Sequence, residues 1–330
     1  MKIFHSLFWI LIGSILALTA CTTQKSIGKV NADPDHGLIQ TLKLSGGSSG
    51  MEQIDDHSYL AVYDLKRNSA NARLGLIRVT PSSLIVSPIK VDSWGDEGIA
   101  NDLESICAIP ERKNEYLLAE SGNWQGKYGR IFHVKVDTLT LSATVLGSTK
   151  IPMLFRNDMT VVGDQYEAII CLPYDKGHRI VMLGERGGSD NSPHGVVRWG
   201  LLNLEDHSFH MGDEGLAGIP VTVPGNWVHT ETKRDITDFH LDAKGDIWAA
   251  ASEDLGDKGP FYSVIYKLGR LDLENKERPF SVFESITTRK AVTGFKIEAL
   301  SGPCKGISAS HAFGTEDEIY GGVWRPIHIE

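Results

Sequence analysis

Two carboxylates bracket the stretch Asn101 to Gly122. Glu104 opens one apolar run and Glu120 closes the next. A charged turn separates the runs, so the pair reads as a β-hairpin with an acid at each outer end. Four other segments carry the same template at similar length: Gly50 to Asp64, Asp158 to Asp175, Asp238 to Glu253 and Glu298 to Glu316. Acids gathered at one place repel and cannot all ionise without a cation among them. Three carboxylates, a hydroxyl and water suit Ca²⁺, which takes about six to eight oxygens. They suit Zn²⁺ less well, since it prefers His and Cys. The alternative is pairing with neighbouring bases: Arg156 and Lys296 each stand just before an inner acid, and Arg234 lies close to Thr237. Those bases would equally hold an anionic substrate beside a metal.

What positions these acids is a repeat. After residue 40 helix patterns almost vanish, and runs such as "YLAVYD", "EYLLAES", "YEAIICLPYD" and "GDIWAAASED" alternate with Gly, Asp and Asn turns. The units start at Gly50, Glu104, Asp158, Asp238 and Glu298, and the widest interval is that between Asp158 and Asp238. A four-stranded propeller blade needs about 40 to 50 residues plus loops, which each of these intervals accommodates. The expected fold is therefore an all-β β-propeller of five blades, or six if the insertion "GERGGSDNSPHG" in the widest interval hides one. Too little chain follows Glu298 for a full blade, so "HGLIQTLKL" near the start is expected to supply the missing outer strand. Such closure removes two exposed sheet edges. In that ring Glu104, Asp158 and Glu298, with Thr237 or Asp238, form an inner set. Asp64, Glu120, Asp175, Glu253, Glu316 and Asp317 lie farther out.

The 330 residues carry a formal charge of −9 with no basic cluster, which argues against a nucleic-acid partner. Gly46-Gly47-Ser48-Ser49-Gly50 matches G-x-S-x-G, but it leads into a strand rather than a helix, so a catalytic Ser48 is not expected. His207 and His210 would face opposite sides of a strand. Cys107 and Cys171 sit in apolar runs and read as buried thiols; Cys304 completes an odd set of three. At the N-terminus Lys2 precedes an apolar stretch, Leu7 to Leu18, and small residues follow, which reads as an export signal. Leu18-Thr19-Ala20-Cys21 resembles a bacterial lipobox. That resemblance implies residues 1–20 as a lipoprotein signal peptide, Cys21 as the lipidated first residue, a tether over 21–36 and one propeller domain over 37–330. Thr22 after the cysteine, by resemblance to Gram-negative lipoproteins, implies an outer-membrane anchor and no other membrane contact.

The segments "SSGMEQIDDHSYLAVYD", "NDLESI", "KIEAL" and "FGTEDEIYGGVWRP" resemble the esterase-like phytase family of bacterial propellers. A more distant similarity is to calcium-activated nucleotidase, a five-bladed propeller with one oxygen ligand per blade around an axial Ca²⁺. "GMEQI", "LESICAI", "NDMTVV", "ITDFHLDAKGDIWAAASED" and "FKIEAL" resemble its blade openings in order. By position this implies Glu104, Asp158, Thr237 and Glu298 as metal ligands, with Ser49 as a first-blade candidate. Asp158 departs from the glutamate of that family, and its nucleotide-binding loops have no counterpart here. The expected activity is Ca²⁺-dependent hydrolysis of a phosphoric ester. Arg156 and Lys296 would bind the small anionic substrate, and Glu120 would activate water. The competing expectation is a non-catalytic scaffold that holds a ligand or protein at the cell envelope.

Overall fold

The computed structural model describes residues 42–43, 47–80, 83–122, 127–155, 161–190, 192–316 and 321–329. Residues 1–20, Cys21, Arg156, Asp158 and Asp317 lie outside the described residues. The strand β1 (Leu42–Lys43) comes first in the chain. A first antiparallel unit follows: β2 (Gly50–Asp55), β3 (Ser58–Val62), β4 (Leu74–Val79) and β5 (Leu84–Val91). The second is β6 (Leu103–Ala108), β7 (Glu115–Glu120), β8 (Arg130–Asp137) and β9 (Ser142–Lys150). A small ladder, β10 (Leu154–Phe155) with β11 (Val161–Val162), leads to the third unit: β12 (Tyr166–Pro173), β13 (His178–Glu185), β14 (Gly195–Asn203) and β15 (Phe209–His210). A short helix, α1 (Asp213–Ala217), and β16 (Ile219–Val221) extend it, with β16 on the edge of β14. The fourth holds β17 (Lys233–Leu241), β18 (Asp246–Glu253), β19 (Tyr262–Leu271) and β20 (Phe280–Val282), with β21 (Thr288–Thr293) also on β19. The last holds β22 (Ala299–Ser301), β23 (His311–Gly314) and β24 (Val323–Ile327).

The inner strands touch in sequence, β2 to β6, β12, β17, β22 and back to β2, so the units close into a ring. The fold is a β-propeller, with five such units among the described residues. β1 completes the last unit by pairing with β24, Leu42 opposite Trp324 and Lys43 opposite Val323. This is the N-terminal closing strand the sequence implies. Among the described residues of the insertion near residue 190 there is one bridge, Ser189 to Ser192.

The core lies between units, which explains why the apolar runs are continuous rather than alternating. Successive strand residues point to opposite faces. Leu60 and Val62 pack toward Ile106, Leu118 and Phe132 of the second unit, whereas Tyr59 and Ala61 pack toward Ala312 and Trp324 of the last. Tyr116 and Leu118 face the first unit while Leu117 and Ala119 face the third. Equivalent apolar layers join the third to the fourth unit and the fourth to the last. Each fully buried Leu in these layers stabilises the ring by about 1.5–3 kcal/mol.

One correction concerns the third unit. The repeat template predicts "NDMTVV" as its inner strand and "YEAIICLPYD" as its second. The inner strand is β12, and "HRIVMLGE" is the second. Asp175 therefore lies in the turn between them, where it accepts from the backbone N–H groups of Gly177 and His178.

Candidate functional site

Because the inner strands run in one direction, residues in or just before their N-terminal halves meet at one mouth of the channel. Glu104, Glu167, Thr237 and Glu298 line a cavity of about 210 Å³ there. Gly50 allows the first two inner strands to converge: a Cβ at that position would lie 2.8 Å from the Glu104 carbonyl oxygen. Thr237, not its neighbour, faces the mouth. Asp238 is buried and accepts from the N–H groups of Phe239 and Leu300.

The second strands contribute the rest of the wall through Asp64, Arg186, Asp254 and Glu316. Here alternation decides which acid arrives. The last residues of β7, β13 and β18 are Glu120, Glu185 and Glu253, and all three turn into the protein. The residue after each, Ser121, Arg186 or Asp254, turns the opposite way. Glu120 is fully buried, its oxygens taken by Arg130 and the Asn101 N–H. It does not line the cavity, so the expectation that it activates water is not met by its placement. Glu253 accepts from the N–H groups of Val228 and His229.

Seven carboxyl groups (Asp64, Asp102, Glu104, Glu167, Asp254, Glu298, Glu316) and four bases (Lys66, Arg186, Arg234, Lys296) line this cavity, so acids are in excess. Lys296 lies 2.8 Å from Glu298, 3.5 Å from Glu316 and 3.7 Å from Asp254. Arg186 reaches Asp164 at 3.0 Å and Glu167 at 3.4 Å. Arg234 reaches Asp254 at 3.4 Å, and Lys66 bridges Asp64 and Asp102. Glu104 is the exception. It is 7 % exposed and makes no hydrogen bond or ion pair with any described residue.

The electrostatics follow this pattern. Burial, reinforced by Glu167 and Asp64, pushes the Glu104 carboxyl well above its ordinary range. Burial lifts Glu167 to about 7 and, with help from Asp102, Asp64 to about 8. Burial likewise raises Glu298 despite Lys296. Asp254 shows the opposite outcome: Lys296 and Arg234 overcome its burial and hold it low.

Asp64, Asp102 and Glu104 each offer an oxygen within 4.8 Å of the others. The donor set contains oxygen alone, from carboxylates and hydroxyls, which fits a hard cation. Ser49 stands beside it, its hydroxyl donating to Glu316 at 3.0 Å and accepting from the Asp64 N–H. Ser48 is 1 % exposed, which agrees with setting aside the G-x-S-x-G string. Of the expected residues, Glu104, Thr237, Glu298 and Lys296 are brought together, with Asp64, Arg234 and Glu316 in the same wall. Glu167, Asp102, Arg186 and Lys66 join them without having been expected. A signal for Glu167 exists in the chain: it precedes the final glutamate of "HRIVMLGE" by 18 residues, close to the 16 that separate Glu104 from Glu120.

No family model and no curated protein matches the chain. Among solved structures it is similar to a thermostable family-43 glycoside hydrolase, at 10 % identity and TM-score 0.48, over 91 % of this chain and 92 % of that one. A candidate glycoside hydrolase from Parabacteroides distasonis aligns at 13 % identity and TM-score 0.45, over 91 % and 96 %. A candidate 6-phosphogluconolactonase from Bacteroides uniformis aligns at 11 % and 0.41, over 92 % and 96 %. These similarities concern architecture.

Proposed function

We propose that this chain is an exported lipoprotein, anchored through Cys21 at the outer membrane, whose acidic mouth binds Ca²⁺ and hydrolyses a phosphoric ester. The observation that carries the reading is Glu104, buried without a cationic partner inside an all-oxygen set, with guanidinium and ammonium groups across the same cavity. Glu104, Glu167, Thr237 and Glu298 would hold the ion, Glu167 taking the ring position first given to Asp158. Bound there, Ca²⁺ supplies positive charge to phosphate oxygens. Arg186, Arg234 and Lys296 orient the anion, and Asp254 or Glu316 takes the proton of the attacking water. The resemblance to esterase-like phytases supports the ester class.

A second reading is a binding module without turnover. The ion pairs of Lys296 with Glu298, Glu316 and Asp254, and of Arg186 with Glu167, favour it because they satisfy much of the charge internally.

The test uses purified protein lacking residues 1–21, assayed on nitrophenyl phosphate, phytate and nucleotides with and without Ca²⁺. The reading expects Ca²⁺-dependent release of phosphate that Arg186→Ala abolishes while Ca²⁺ binding persists. Ca²⁺ binding with no turnover on any ester would leave the binding module standing. Neither binding nor turnover would overturn both.

A further inference from the structure

The inner strands end at a second mouth, where a larger cavity of about 820 Å³ opens. Its volume falls in the usual range of small-molecule pockets, about 300–1,000 Å³. His240 of β17, Trp248 of β18 and Lys267 of β19 stand in register across the fourth unit and form one wall. His311 of β23 packs edge-on against Trp248, centroids 4.5 Å apart, and Leu241, Pro303 and Ile329 add an apolar surface.

Charge on this lining is unbalanced. Its acids are Glu52, Asp242 and Asp246, and its bases beside the two histidines are Lys244, Lys267 and Arg289. The acids are already spent. Burial lifts Glu52 to about 8, which leaves it mostly protonated at pH 7. Asp242 accepts the backbone N–H groups of Lys244 and Asp246 through Oδ1 and the Trp248 indole N–H through Oδ2. Asp246 sits between Lys267 at 2.6 Å and Arg270 at 2.9 Å, so two cations share one carboxylate. Lys244 and Arg289 make no ion pair or hydrogen bond with any described residue.

Two irregularities in the sheet deliver these cations. Lys290 pairs with Ile265 and Thr288 with Tyr266, so Arg289 is an extra, bulged residue between them. On β19, Leu268 is extra between Gly269, opposite Ile247, and Lys267, opposite Trp248. With regular pairing Leu268, not the cation, would stand opposite Trp248. Bulges re-aim side chains in this way and recur beside functional sites.

We propose that this second mouth binds a small organic anion, its carboxylate or phosphate held by Arg289, Lys244 and Lys267 and its apolar body lying on Leu241, Pro303 and Ile329. A guanidinium offers either group two parallel donors, and the ammonium groups add point charge. The chain as a whole carries a formal charge of −9, so this excess of cations is a local reversal. Acids dominate the opposite mouth, and the two ends of the channel thus attract opposite charges.

Calorimetric titration of the chain lacking residues 1–21 tests this with four probes of similar shape: benzoate, phenyl phosphate, benzyl alcohol and benzylamine. Chelator in the buffer keeps Ca²⁺ from the acidic mouth. At least one of the two anions is expected to bind with a Kd below about 1 mM, and the alcohol and amine at least tenfold more weakly. Added salt should weaken the anion's binding. Arg289→Ala and Lys244→Ala should each weaken it fivefold or more with the circular dichroism unchanged, since both side chains are exposed and outside the core. Arg186→Ala, at the acidic mouth, should leave this binding intact. No saturable binding of either anion, equal binding of the alcohol or amine, or binding lost in Arg186→Ala but kept in both other variants would overturn the proposal.

Discussion

Arg130 and Glu120 meet in a two-pronged pair, Nε to Oε2 at 2.9 Å and Nη2 to Oε1 at 2.6 Å, both side chains out of solvent. Arg198 grips Glu185 the same way in the next unit, at 2.6 and 3.2 Å. Removing one partner of such a pair strands the other charge, so Glu120→Ala should destabilise the fold by about 3–5 kcal/mol. Urea unfolding measures this. Ca²⁺ affinity of the folded variant should stay at the wild-type value, because Glu120 does not line the acidic cavity.

Glu104→Gln should have opposite effects without and with the metal. In chelator the variant should melt higher than wild type, since a buried carboxyl beside Glu167 and Asp64 is relieved of its charge. In Ca²⁺ at about 100 times its Kd, wild type should gain about 2.7 kcal/mol and the variant far less. Differential scanning calorimetry in both buffers checks the crossover. An unchanged wild-type melting temperature on adding Ca²⁺ would count against the metal site.

Legibility in the sequence varies by element. Continuous apolar runs with acids at their ends announce strands buried on both faces, and their repetition announces the ring. "HGLIQTLKL" reads as a closing strand, and Leu42–Lys43 does close the last unit. The third unit slips because "NDMTVV" precedes an inner strand of its own apolar character, and no charge distinguishes the two. With Glu167 as the third opening in place of Asp158, the span from Glu104 to Thr237 divides nearly in half, and the one over-wide interval disappears. The fate of the strand-ending acids is harder to read. A single step along the chain decides whether a side chain faces the channel or the neighbouring blade, and Glu253-Asp254 offers an acid for each. The larger cavity is not legible at all, since His240 and Trp248 belong to the fourth unit and His311 to the last.

Two buried histidines act to weaken the fold in acid, against the opposite effect of the raised carboxyls Asp64, Glu104 and Glu167. His240 and His311 hold folded pKa values of about 3 and about 4 through burial, against about 6.5 unfolded. Between those limits the unfolded imidazoles bind protons that the folded ones refuse, so the stability they contribute is present above about pH 6.5 and falls as pH drops. For His311 the loss between pH 7 and pH 4 is at most about 3 kcal/mol. The melting temperature of wild type relative to that of His311→Gln should therefore fall as the pH drops over this range.

Cys107, Cys171 and Cys304 are free and buried, and burial raises the Cys107 and Cys304 thiols. In the protein lacking residues 1–21 a thiol reagent should modify none of them in native buffer and all three in denaturant. Fast native labelling of any one would show that the layer around it opens.

The pairing of Lys43 with Val323 joins the first described strand to the last. A chain growing from its N-terminus makes one half of that contact at the outset and the other only near the end. The latch must wait, while four earlier units assemble from neighbours close in sequence. Contacts of such long separation form slowly. Ring closure is thus expected to be the late step of folding, and an incomplete chain to be held together at every joint except the last.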